Sequence, residues 1–296
     1  MSNSSLVLNG SPSSEKATPG LDAFCAELAL LIDRKELALP VLPEIPNKVL
    51  TMTTSPDMDI SELSNLIHQD QSLASHVLRV SNSAAYGGTR QIASLTQAIT
   101  RLGGRIVGDI AFGISLQSDV FQIDGFEKTV KQLWKHAFAA GLFGKEIARI
   151  RRRNIEGQYL CGLLHTIGKP VILQACIGLQ KELGIKLEQN TAKILMEDFH
   201  NSVGSILTFS WGLPDLVSKT CLHYTNYEEA PTFKDETVGT YLASQMAHQL
   251  IGSSNTSPEE LREDPAFHAL NLYPEDVNNL FDKIDSISEI IAAMAL

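Results

Sequence analysis

The stretch Ser94-Leu95-Thr96-Gln97-Ala98-Ile99-Thr100-Arg101-Leu102-Gly103-Gly104 sets how the rest of the chain is read. Ser94 and Gln97 have the spacing of a capping box, in which each side chain satisfies an amide that a starting helix leaves bare. Leu95, Ala98, Ile99 and Leu102 then fall on one face at helical spacing. Gly103-Gly104 stops the helix, because glycine takes the left-handed C-terminal geometry without strain.

The same grammar repeats outward. Ile106, Ile110 and Ile114 continue the helical spacing beyond the glycines. Toward the N-terminus, Asp59-x-x-Glu62 predicts a cap for a helix carrying Leu63, Leu66 and Ile67, and Asp70 one for Leu73, Val77 and Leu78. Ile45, Val49 and Met52 predict another helix, ended by Ser55-Pro56, since the residue before a proline avoids helical geometry. Phe24, Leu28 and Leu31 predict a first helix with Arg34 and Lys35 at its end. Val130, Leu133, Ala137 and Leu142 predict a long one past the midpoint. No alternating strand with a hairpin turn stands out, so the fold is expected to be all-α.

Residues 1–20, rich in Ser, Asn, Gly and Pro without periodicity, are expected to be a disordered tail. The softer stretch from Ser118 to Gly125 divides an N-terminal helical half, 21–125, from a C-terminal one, 126–296. Glu228 to Glu236 and Gly252 to Pro258 read as polar loops.

Charge limits the partners. Lys and Arg number 24 against 34 Asp and Glu, a formal charge of −10, which argues against broad binding to nucleic acid or an anionic membrane. One local exception is Arg149 with Arg151-Arg152-Arg153, which favours a helix C-terminal dipole or contacts an anion or partner. The four cysteines, Cys25, Cys161, Cys176 and Cys221, lie far apart with no C-x-x-C pair, which suggests reduced thiols. No apolar run is expected to approach the roughly 18 residues of a membrane span, and the N-terminus reads as lacking a basic, apolar leader. A soluble cytoplasmic protein is expected.

The chemistry concentrates in Leu163-Leu164-His165-Thr166-Ile167-Gly168-Lys169, which resembles the LLHDIGK signature of the HD phosphohydrolase superfamily with Thr in place of the metal-binding Asp. Around it other blocks follow in order. They are Leu39-Pro40-Val41-Leu42-Pro43, Asp70-Gln71-Ser72-Leu73, the run Leu78 to Gly87 containing Asn82-Ser83, and Ile92 to Gly103. Trp134-Lys135-His136, His200-x-x-x-Gly204 and Trp211-Gly212-Leu213-Pro214 complete the set. Together, over about Leu39 to Leu250, they resemble the HDOD family, a non-catalytic-looking relative of the HD hydrolases.

That resemblance implies an N-terminal HDOD-type helical bundle packed on a C-terminal HD-like helical domain. It also implies bacterial signal transduction through protein partners. It places His136, His165, His200 and His223 at the metal-ligand positions, with Thr166 and Ser244 where the carboxylates belong. Hydrolysis of phosphate esters needs carboxylates to hold cations beside an anionic substrate, and neutral imidazoles suit hard magnesium or manganese poorly. The leading expectation is therefore a stand-alone regulatory module with a degenerate site, no cofactor, and the first half as the partner surface. The alternative is a phosphohydrolase acting on nucleotides or cyclic dinucleotides, with one transition metal ion on the four histidines. A nucleotide sensor, with Arg101 and Lys169 supplying positive charge, is a third reading. Lys169 is otherwise expected to be a solvated charge. Cys161, four residues before His165, lacks an orienting third group for nucleophilic catalysis.

Overall fold

The computed structural model describes residues 20–42, 44–54, 59–86, 91–120 and 123–294. Within them the chain is all-α, with no strand. Most of the expected disordered tail, the Ser55-Pro56 stop and Gly87 lie outside the described residues.

The first half contains α1 (Leu21–Asp33), α2 (Glu44–Thr54), α3 (Ile60–His68), α4 (Gln71–Ser81), α5 (Leu95–Leu102) and α6 (Gly104–Val120). The caps read from sequence hold them. Asp59 accepts from the amides of Ser61 and Glu62, Asp70 from Leu73, and Ser94 from Gln97. The Gln97 side chain reaches back one residue beyond the expected partner, to the amide of Ala93 at 3.3 Å. Gly103 closes α5 at φ +84°, where a side chain would be strained.

Asn82 fixes how α4 joins α5. Its Oδ1 accepts from the Ile92 amide at 2.7 Å, and its Nδ2 donates to the carbonyls of Ile92 at 2.8 Å and Leu78 at 3.0 Å. One short amide side chain thereby imitates a peptide pairing across ten residues of chain.

The second half contains α7 (Glu127–Ile150), α8 (Ile155–Leu164), α9 (Gly168–Leu183), α10 (Gln189–Ser210) and α11 (Asp215–His223). A 3₁₀ turn at Tyr224–Glu229 leads into α12 (Lys234–Ile251), so the polar loop expected from Glu228 to Glu236 is helical at both ends. Then come α13 (Pro258–Arg262), α14 (Pro265–Ala269), α15 (Pro274–Phe281) and α16 (Ile284–Ala293). α7 is the central column, flanked by α8 and α12, while α9 and α10 pair beside it.

The two halves share one continuous apolar core. α1, expected with the N-terminal helices, packs on α9 and α10 instead, and α16 returns to touch both α7 and α4. Trp211 Nε1–H donates to the Pro40 carbonyl at 2.7 Å, tying the proline-rich lead-in to the second half. One sequence expectation is corrected. The run Ile155–Leu183 is long and apolar enough by composition to cross a membrane. It is, however, two helices broken at His165 to Ile167, and 83% of its most apolar window is buried within the fold. Its apolarity is that of a core hairpin packed on every side.

Candidate functional site

Four helices converge on a cluster of buried imidazoles. His136 lies mid-way along α7, on a face buried together with Ala137, Ala140 and Phe143. His165 caps the C-terminus of α8, where the chain turns through Thr166 and Ile167 into α9. Ser244 and His248 stand one turn apart on the same face of α12. His200 comes from α10.

Gly168 makes this convergence possible. A Cβ there would lie 2.2 Å from the His200 carbonyl oxygen and 2.7 Å from the Gly204 amide nitrogen. Both are backbone atoms that cannot swing aside, so only glycine lets α9 start this close to α10. The His200-x-x-x-Gly204 spacing is the other half of that contact.

The hydrogen bonds fix each tautomer. His165 Nδ1–H donates to the Gly162 carbonyl at 2.6 Å, which leaves Nε2 as an acceptor. His136 Nε2–H therefore donates to it at 3.1 Å, and Ser244 Oγ sits 3.2 Å from both nitrogens. His200 Nδ1–H donates to the Glu197 carbonyl at 3.0 Å, and the Tyr224 hydroxyl donates to His200 Nε2 at 2.6 Å. The His165 ring meets Tyr224 edge-on, and the His136 ring lies 4.2 Å from that of His248. His136 Nδ1 is buried without a hydrogen-bond partner.

These groups are neutral in the folded chain. Burial pushes His165 down to about 3 and His200 to about 4, and holds His136 well below its ordinary value. The Lys169 ammonium adds to the effect on all three. Lys169 is not the solvated charge expected. It is only 8% exposed and donates to Glu197 Oε1 at 2.7 Å, because its place in the first turn of α9 points it toward α10. Burial raises Glu197, but Lys169 outweighs it and keeps the carboxylate ionised. Burial pushes the Cys161 thiol up to about 12, far from a thiolate nucleophile.

Of the four histidines named from sequence, the structure joins His136 and His165 directly and places His200 beside them through Tyr224. His223 ends α11 half-buried, with Lys219 and Glu229 as the charges that act on it. His248 takes the place beside His136 and was missed by the sequence reading. Its signal was there in the spacing, one helical turn after Ser244. Among the described residues, no three His, Cys, Asp or Glu side chains are placed to hold a metal ion.

The HDOD domain model matches residues 39–227, more than half of the chain. The chain belongs to the HDOD family. An uncharacterised protein of Treponema pallidum (strain Nichols) is 28% identical over 225 residues, 71% of this chain and 42% of that protein. The chain thus spans less than half the length of the curated relative it matches. An HDOD domain protein of unknown function from Geobacter sulfurreducens superposes with a TM-score of 0.68 at 23% identity, covering 91% of this chain and 98% of that one. A Shewanella amazonensis SB2B protein, provisionally named a metal-dependent phosphohydrolase, gives 0.69 at 18% identity over 94% of this chain and 100% of its own. A Marinobacter aquaeolei VT8 protein, provisionally named a signal transduction protein, gives 0.62 at 21% identity over 94% of this chain and 67% of its own. At such identities these HDOD-like structures share the fold with this chain.

Proposed function

We propose that this chain is a regulatory protein-binding module of bacterial signal transduction, acting in the cytoplasm, in which the HD-type site is degenerate and hydrolyses nothing. The carrying observation is that His136 and His165 bond to each other through the nitrogens that would face an ion.

The chemistry of the donors supports this reading. A divalent ion that activates water for phosphoester cleavage would have His136, His165 and His200 available, together with Thr166 and Ser244 at the carboxylate positions. Hydroxyls are weak neutral ligands and supply no charge balance for an anionic substrate. His200 Nε2 already accepts the Tyr224 hydroxyl. A metal on His136 Nε2 would turn Nδ1 into a buried N–H donor, and nothing there accepts from it. The residues do not fit the ion, so no step is routed through one.

What remains is a rigid, neutral, hydrogen-bonded knot at the meeting point of α7, α8, α10 and α12. That knot holds the second half in one shape, and the surfaces outside it carry recognition. The test joins elemental analysis of the purified protein with assays of phosphate release from nucleotides and cyclic dinucleotides under zinc, nickel, manganese and iron. No stoichiometric metal and no turnover is the expected result. Metal-dependent turnover lost in His165→Ala would overturn the reading and restore the hydrolase alternative.

A further inference from the structure

The turn between α7 and α8 holds two arginines that the fold does not use. Of the four arginines at the end of α7, two have structural work. Arg149 pairs with Glu146 one turn back, and Arg151 donates from Nε to the Leu270 carbonyl at 3.1 Å and from Nη2 to Asp235 at 2.7 Å. Arg152 and Arg153 are exposed, and among the described residues no carboxylate lies within ion-pair distance of either.

Arg152 is also in the wrong conformation for an arginine. The Arg152 amide bonds the Arg149 carbonyl at 3.1 Å and the Arg153 amide bonds that of Ala148 at 2.9 Å. This is a Schellman closure, whose left-handed residue is usually glycine. Arg152 occupies it at φ +52°. A strained backbone position that keeps a charged side chain where glycine would relax the fold points to use of that side chain. The neighbouring arginines are charge-compensated, Arg105 of α6 by Glu156 in the first turn of α8 and Arg149 by Glu146, so Arg152 and Arg153 carry the uncompensated positive charge of this turn.

We propose that Arg152 and Arg153 form the docking surface for a short acidic segment of a partner protein. This inference rests on the regulatory reading above and names the partner's chemistry. Charge decides the class of partner. On a chain of net charge −10, a long polyanion such as a nucleic acid meets repulsion along most of its length. A short run of Asp and Glu needs only this patch, and arginine is the basic residue that protein interfaces favour. Glu146 and Glu156 hold the flanking arginines in place and limit how much negative charge the surface accepts.

The experiment measures binding of a fluorescein-labelled oligoglutamate peptide to the full chain at graded salt, beside duplex DNA and inorganic phosphate. Wild type should bind the peptide, and salt should weaken the binding. The pair R152G and R153Q should weaken it on the order of tenfold, matching two lost charged contacts. The melting temperature of R152G should stay level or rise, because glycine suits the turn, so lost binding is not lost folding. No peptide binding by wild type, equal binding by the variant, or tighter DNA binding through the same arginines would each overturn the proposal. Such a failure leaves the phosphate-release assays unaffected, so the two readings fall separately.

Discussion

His136 donates through Nε2 to Nε2 of His165 at 3.1 Å, two imidazoles from α7 and α8 bonded to each other inside the core. The acceptor His165 must be neutral for this bond, and burial keeps His136 neutral as well, since two charged rings would repel and neither could accept. The consequence is a dependence of stability on pH. His165 and His200 titrate near 3 and 4 in the folded chain, against 6.5 in the unfolded one, and burial is the main cause. Folded values below unfolded ones mean that the unfolded state binds more protons between them. Stability is then complete above about pH 6.5 and is lost as pH falls toward the folded values, at ~1.4 kcal/mol per pH unit for each histidine. Urea unfolding measured from about pH 7.5 down to about pH 5 should show that decline. A flat profile would mean the imidazoles are hydrated.

Tyr224 is the second support of the cluster. Its hydroxyl is buried, donates to His200 Nε2 at 2.6 Å, and has His165 against its ring edge. Tyr224→Phe keeps the ring and removes the donor, leaving His200 Nε2 unsatisfied. The loss should be about 1–3 kcal/mol by chemical denaturation, the cost of a stranded buried acceptor. A loss near zero would place water at that nitrogen.

Much of this was legible in the sequence because local rules suffice for helices. Asp59, Asp70 and Ser94 cap where their spacing says they should, and Leu95, Ala98, Ile99 and Leu102 are all buried. His136 and His165 are legible in the sequence because the motifs around them are dense. Lys169 and His248 were misread or missed for one physical reason, that their surroundings come from other helices. Nothing near Lys169 in sequence announces Glu197, twenty-eight residues on. The packing of α1 on α9 and α10 is likewise a long-range choice that an amphipathic face alone does not encode.

Gly168 and Gly178 lie on the same helix and should respond oppositely to alanine. At Gly168 the new Cβ meets the His200 carbonyl oxygen at 2.2 Å, so α9 and α10 must part and the cluster with them. Gly168→Ala should cost several kcal/mol, on the order of the worst overpacking changes, or prevent folding. Gly178 has nothing within 4 Å of an added Cβ and no positive φ. Gly178→Ala should stabilise by about 0.5–1 kcal/mol through reduced chain entropy. Melting temperatures of the two variants make the comparison, and equal effects would refute the close approach.

Lys145 and Asp109 form the more buried of two ion pairs between the first half and the second, the other being Arg105 with Glu156. Lys145 of α7 reaches Asp109 of α6, with side chains only 11% and 18% exposed, and the Tyr159 hydroxyl donates to the Asp109 carbonyl at 2.8 Å. Burial raises the Asp109 carboxyl more than Lys145 lowers it, so the acid depends on its partner to stay ionised. Lys145→Met should cost about 3–5 kcal/mol near neutral pH, because it strands a buried carboxylate. A raised folded value means that the variant recovers stability as pH falls and the acid takes a proton, the reverse of the histidine effect. Adding Asp109→Asn should return a large share of the loss at neutral pH, because the stranded charge is gone. Chemical denaturation of the single and double variants at two pH values reads both effects. A single variant as stable as wild type would show that the pair is hydrated and holds the halves together no better than a surface bridge.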